Sequence, residues 1–144
     1  MQIWKNPVTV DQLNTISRNS IHDSLGIEFT QVGDDYLEAK MVVDARTKNP
    51  PGILHGGASV VLAESLGSVA SILVAGFEDK TCVGVEINAN HLNSMKDGIV
   101  FGKVTPLRLG RTLHVWDIQI RDGNTSDFRL VCQSRLTVMV KDKN

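Results

Sequence analysis

The sequence predicts an α+β fold in which an antiparallel β-sheet curls around one long helix. Three observations predict it. His55 to Gly76 is a small, apolar run of helix length with a single charge, Glu64, and a helix apolar on every face belongs in a core. Strand-like segments flank this run in segregated order, two before it and four after it, instead of alternating with helices as a parallel sheet requires. The 144 residues are 42% hydrophobic and 22% charged, the composition of one globular domain, residues 1–144, large enough to bury a core.

The elements follow in order. Residues 9–19 read as a short outer helix, with Thr9 as N-cap, Gln12 completing a capping box, and Leu13 and Ile16 as its apolar edge. Gly26 to Val32 reads as a strand with Ile27 and Phe29 on one face, and Gly33-Asp34-Asp35 as a turn. Tyr36 to Asp44 alternates, with Leu37, Ala39, Met41 and Val43 on one face. Asn49-Pro50-Pro51-Gly52 stiffens the loop that feeds the long helix, and Gly76 suits the helix end. In the strand Thr81 to Leu92, alternation groups Val83, Val85, Ile87 and Ala89. Ile99 to Pro106 is the next strand, Leu107 to Arg111 a basic turn, and Thr112 to Arg121 a strand with Trp116, Ile118 and Ile120 on one face. Asp122-Gly123-Asn124 marks a hairpin turn. Phe128 to Val140 is the last strand, with Phe128, Leu130, Cys132, Leu136, Val138 and Val140 inward.

Bulk properties exclude several classes. A net charge of −1 gives no general attraction to nucleic acid or a membrane surface. Cys82 and Cys132 sit in strand-like runs without CxxC spacing, which argues for two buried thiols, with no metal site and no disulfide framework. The N-terminal residues lack the apolar core of a signal peptide. Gly57 to Phe77 is long enough to span a bilayer, but its serines, glycines, central Glu64 and missing basic flank favour a core helix. The expected location is cytoplasmic.

The chemistry concentrates on the helix. Gly56 and Gly57 lie where loop becomes helix; their N–H groups have no intrahelical partner and face the positive end of the dipole. Such groups can serve as an oxyanion hole, or the glycines can simply serve a tight turn. Glu64 is the carboxylate that burial would penalise if it were unpaired. It lies eight residues, about 12 Å, beyond Gly56, too far for one small carbonyl to touch both. A shared site therefore needs a second copy with its helix antiparallel, which predicts a homodimer. Ser68, four residues after Glu64, shares its face. His55 is a candidate hydrogen-bond donor to a carbonyl, or a structural hydrogen-bonder. Arg108 and Arg111 flank Gly110 and suit a phosphate, or an exposed basic turn. Glu86, His91 and His114 read as surface or interface residues on strands.

The run Gly52-Ile53-Leu54-His55-Gly56-Gly57-Ala58-Ser59-Val60-Val61-Leu62-Ala63-Glu64-Ser65 resembles the signature of hotdog-fold acyl-CoA thioesterases of the 4-hydroxybenzoyl-CoA thioesterase subgroup that carries its Glu on the central helix. Asp44 to Lys48, Glu86 to His91 and Pro106 to Arg111 resemble one branch of it, which holds the 1,4-dihydroxy-2-naphthoyl-CoA hydrolase of menaquinone biosynthesis and the proofreading thioesterase of enterobactin biosynthesis. The resemblance implies Glu64 as nucleophile or general base, Gly56 N–H as oxyanion donor, His55 as supporting histidine, and Ser68 as the hydroxyl one turn beyond the carboxylate. It implies Asn49 at a position where this branch usually has glutamine. It implies Arg108, Arg111 and His91 as contacts for coenzyme A, with no other cofactor. Paired sheets in a dimer, and a dimer of dimers, also follow from it. Asn49 is one methylene, about 1.5 Å, shorter than glutamine, and Pro51 stands where the branch often has an aromatic residue.

The reading is an acyl-CoA thioesterase for an aromatic or other bulky acyl group, with 1,4-dihydroxy-2-naphthoyl-CoA a candidate substrate. A hotdog dehydratase or hydratase, which releases no thiol, and a non-catalytic acyl-CoA binder are the rivals.

Overall fold

A computed structural model describes residues 1–144. Two short helices open the chain, α1 (Val10–Ile16) and α2 (Ile21–Leu25), followed by strands β1 (Glu28–Val32) and β2 (Leu37–Val42). The long helix α3 (Gly56–Ala75) comes next, then β3 (Lys80–His91), β4 (Ile99–Leu109), β5 (Leu113–Asp122) and β6 (Leu130–Asp142). The six strands form one antiparallel sheet in the order β1-β2-β4-β5-β6-β3. Helix α3 crosses its inner face, packing most heavily on β3 and β6.

The core forms where the alternation of the strands meets the helix. Leu37, Ala39 and Met41 of β2, Trp116, Ile118 and Ile120 of β5, and Leu136 and Val138 of β6 are fully buried with Leu62 and Leu66 of α3. Trp116 Nε1–H donates to Ser71 Oγ at 2.7 Å, which satisfies two buried polar groups at once. The helix is half wrapped, not fully enclosed. Leu62, Ala63, Leu66, Ala70 and Leu73 are buried, while Val61, Glu64, Ser65, Ser68 and Val69 keep partial exposure. By length and composition α3 could cross a membrane; here it packs on the sheet.

The N-terminal segment caps the far end of this helix. Lys5 N–H and Asn6 N–H both donate to Leu73 O, a carbonyl of the last helical turn, and Trp4 Nε1–H reaches Gly33 O at 2.7 Å. Thr9 and Gln12 form the expected capping box of α1.

Several expectations need correction. The outer helix ends at Ile16, which is 73% exposed, so Leu13 alone forms its buried edge, and a second helix, α2, capped by Ser20, follows it. Strand β4 runs on through Pro106 to Leu109; a bulge between Pro106 and Arg108 accommodates the proline. Arg108 therefore lies in a strand and not in the turn. Between Asp122 and Leu130 lies a longer connection instead of a tight hairpin, and Phe128 is exposed there. Most consequential is a bulge in β3 between Gly84 and Glu86. One extra residue reverses the alternation beyond it. Val83 and Val85 thus face outward and are exposed, whereas Ile87 and Ala89 pack against the core.

Candidate active site

One half of the site is the loop before α3 together with the helix's first turn. Thr47 is buried, its hydroxyl donating to Val42 O at 2.9 Å, and His55 N–H donates to Thr47 O at 2.8 Å. Asn49 closes a tight turn: its N–H donates to Ile53 O, its carbonyl accepts from Gly52 N–H, and its side-chain Oδ1 accepts from Ile53 N–H at 3.2 Å. The Asn49 side-chain oxygen is thus engaged within the loop, and its amide N–H groups remain to donate elsewhere.

His55 is the N-cap of α3. Its Nδ1 accepts from Gly57 N–H at 2.8 Å, and its carbonyl accepts from Ala58 N–H and Ser59 N–H. An accepting Nδ1 leaves the proton of the neutral ring on Nε2. With those three groups engaged, Gly56 N–H is the one unpartnered N–H in the first turn. It lies at the positive end of a twenty-residue helix.

His91, the last residue of β3, stands directly against this glycine. A Cβ at position 56 would lie 2.8 Å from His91 Nε2, so glycine is what lets the ring and the helix terminus meet. His91 is therefore part of the cleft and not merely a surface residue. A cleft of about 320 Å³ is lined by Asn49, Leu54, Gly56, Ser59, His91 and Val131 among others. Ser59, 1% exposed, is a polar lining residue that the sequence reading did not single out. Its spacing of three from Gly56 on a helix was the available signal.

The other half lies mid-helix. Glu64 points at β3, its Oε1 2.6 Å from where a Cβ on Gly84 would sit. The carboxylate has no ion pair in the chain. Ser68 lies one turn further on, partly exposed. Because α3 is continuous, Glu64 and Gly56 of one chain stay about 12 Å apart. The structure brings Asn49, His55, Gly56 and His91 together, and Glu64 with Ser68, but does not join the two groups within one chain.

Arg111 belongs to a third place. With Lys80 and His114 it lines a cavity of about 250 Å³ at the last turn of α3, beside Val74 and Ala75. That is the opposite end of α3 from Gly56, about 28 Å away along the helix axis. Arg108 is exposed on β4, opposite Val115. His114 is 3% exposed, which corrects its surface assignment, and its Nδ1 has no hydrogen-bond partner. Burial pushes its pKa below the ordinary value, with the Gly110 backbone drawing it partly back.

A model of the thioesterase superfamily matches residues 51–128, the stretch that carries α3 and the strands around it. The chain belongs to the thioesterase superfamily. It is a thioester hydrolase of the hotdog fold, and its relatives extend the match to full length. A 1,4-dihydroxy-2-naphthoyl-CoA hydrolase of Escherichia coli is 51% identical over 96% of this chain and 98% of its own. The proofreading thioesterase EntH of Cronobacter turicensis is 47% identical over 96% and 98%. Among solved structures, a thioesterase of Pseudomonas aeruginosa carrying a glutamine-to-alanine change superposes with TM-score 0.93 at 46% identity, covering 99% of this chain and 100% of that one. A Staphylococcus aureus protein, solved as a glutamate-to-alanine and as a glutamine-to-alanine variant fifteen positions apart, superposes at 0.80 and 0.79. Each is 32% identical; they cover 85% and 84% of this chain, and 99% and 98% of their own.

Proposed function

We propose that this thioesterase hydrolyses an acyl-CoA with an aromatic or similarly bulky acyl group, using Glu64 of one copy and Gly56 of another. The observation that carries the reading is the Glu64 carboxylate, free of any ion pair on an otherwise apolar helix. A fold gains nothing from such a charge, whereas a hydrolase needs it. The spacing supports it too. Asn49 and Glu64 are fifteen positions apart, as are the glutamine and glutamate replaced in the Staphylococcus aureus protein.

In this reading the thioester carbonyl oxygen accepts from Gly56 N–H, and charge developing on that oxygen is met by the helix dipole. Glu64 takes a proton from water as the water oxygen attacks the carbonyl carbon. The tetrahedral intermediate then expels the CoA thiolate, which recovers the proton. Alternatively the carboxylate attacks the carbonyl carbon first, the C–S bond breaks to release the CoA thiolate, and water hydrolyses the resulting anhydride to the free acid, regenerating the carboxylate. Asn49 donates its amide N–H to water or carbonyl, Ser68 hydrogen-bonds the carboxylate, and His55 and His91 frame the oxyanion donor. Arg108 and Arg111 serve the phosphates of the CoA tail.

Two copies join along β3. This strand is twelve residues long at the end of the sheet, with one edge unpaired, and an open edge of that length is a template for another strand. Antiparallel pairing there would run the two α3 helices in opposite directions, each Glu64 toward the other copy's Gly56, with dimers pairing further into a tetramer in the cytoplasm. The likeness to the E. coli hydrolase selects 1,4-dihydroxy-2-naphthoyl-CoA, a menaquinone precursor, as the first substrate to try. Thiol release from a panel of aromatic, medium-chain and long-chain acyl-CoAs tests the reading. Fast turnover of an aromatic member is expected; saturable binding without thiol release would favour a binder.

A further inference from the structure

Strand β3 does two jobs that simple alternation would forbid. Gly84 faces the inner side, against Glu64, and His91 also faces the inner side, against Gly56. They are seven positions apart, so in a regular strand they would point to opposite faces. The bulge between Gly84 and Glu86 supplies the extra residue that puts both on one face.

Gly84 is also where the Glu64 carboxylate rests. A Cβ there would lie 2.6 Å from Oε1, with Leu136 Cδ1 at 4.0 Å forming the next wall of the gap. Along β3 the other inward positions, Cys82, Ile87 and Ala89, present side chains to the core, so the missing Cβ at Gly84 makes the recess in which this carboxylate fits. We infer that Gly84, held inward by the Val85 bulge, is a positioning residue for the hydrolysis: its empty Cβ position sets where the Glu64 carboxylate stands. The inference rests on the catalytic reading of Glu64. An added methyl would displace Oε1 by at least about 0.8 Å to reach ordinary contact. The flexible glutamate would swing aside and leave the sheet intact.

The test is a pair of substitutions read by steady-state thiol release on the best acyl-CoA, with melting temperature and oligomeric size recorded. Gly84→Ala is expected to lower kcat on the order of a hundredfold, the cost of a misplacement near 1 Å, with KM little changed. Glu64→Asp withdraws the carboxylate from the recess. In that background Gly84→Ala is expected to have no further effect on kcat, since nothing remains for the methyl to displace. An equal loss in both backgrounds, or none with Glu64 present, would overturn the inference. If Gly84→Ala lowers the melting temperature, the same change is made with Glu64→Ala, where the contact is gone. Recovery of stability supports the contact, and an unchanged deficit contradicts it. Glu64→Gln separates the two claims. If it abolishes turnover while Gly84→Ala does not, the positioning inference alone fails; if turnover survives Glu64→Gln, the catalytic reading fails.

Discussion

In the proposed reaction a few side chains carry the chemistry, and each is open to a distinct test. Glu64→Gln keeps the size and removes the basicity, so turnover should fall by roughly a hundredfold to ten-thousandfold, the usual worth of a positioned acid–base group. Melting temperature should hold or rise, because an unpaired charge leaves a half-buried face. Asn49→Ala removes both a loop hydrogen bond and a donor to the site. It should cost about 1 kcal/mol in denaturant unfolding and lower kcat more than that loss explains. Histidines 22 and 114 predict a pH dependence. Burial holds both below their ordinary value near 6.5, with Asp23 partly drawing His22 back and the Gly110 backbone His114. The fold favours their neutral forms, so the unfolded chain takes up protons first. Stability should be complete above about pH 6.5 and fall as the pH drops toward the folded-state values. Denaturation midpoints between pH 5 and 8 should show this slope, and His114→Gln should flatten it.

Among the elements, legibility from the sequence followed the strength of the local signal. Helix α3 was legible from Gly56 to Gly76 because composition alone marks a core helix. The capping box at Thr9 and Gln12, and the inward sets of β2 and β5, were legible because period and cap are local properties. The bulge in β3 was not. Val83, Val85, Ile87 and Ala89 alternate in sequence as one face, and only pairing with β6 reveals the slip. Pro106 marked a strand end where a bulge lets β4 continue, so Arg108 was misassigned to the turn. Of the candidate site, Gly56 and Glu64 stand out locally as a glycine at a helix start and a lone charge on an apolar run, and His91 enters through the family resemblance, whereas Ser59 and Gly84 owe their places to tertiary contacts. Deleting Val85 would remove the bulge and turn either Gly84 or His91 outward. Such a variant should keep its sheet by far-ultraviolet circular dichroism and lose most of its turnover. Retained turnover would show that the bulge does not serve the site.

For the whole molecule, the central consequence of the proposed function is that one chain would hold two half-sites. Helix geometry separates Glu64 from Gly56 by about 12 Å, and the unpaired edge of β3 offers the means to bring a second copy in. The chain alone should therefore be inactive below its dimerisation concentration, with specific activity rising as protein concentration increases through that range. Substitutions on the exposed β3 valines, such as Val83→Lys, should shift that threshold upward without altering the monomer fold.

The most direct measurement is complementation between two inactive variants. Glu64→Gln chains and Gly56→Val chains are prepared separately, each confirmed inactive, then mixed, dissociated and reassociated. In a hybrid dimer one site carries both defects and the other carries neither. At equal mixing half the dimers are hybrids with one intact site of two, so activity should return to about a quarter of the unmodified protein's. Recovery near that level supports a site shared between copies. No recovery, from hybrids shown by mass to have formed, would mean that Glu64 and Gly56 act within one chain or not together at all.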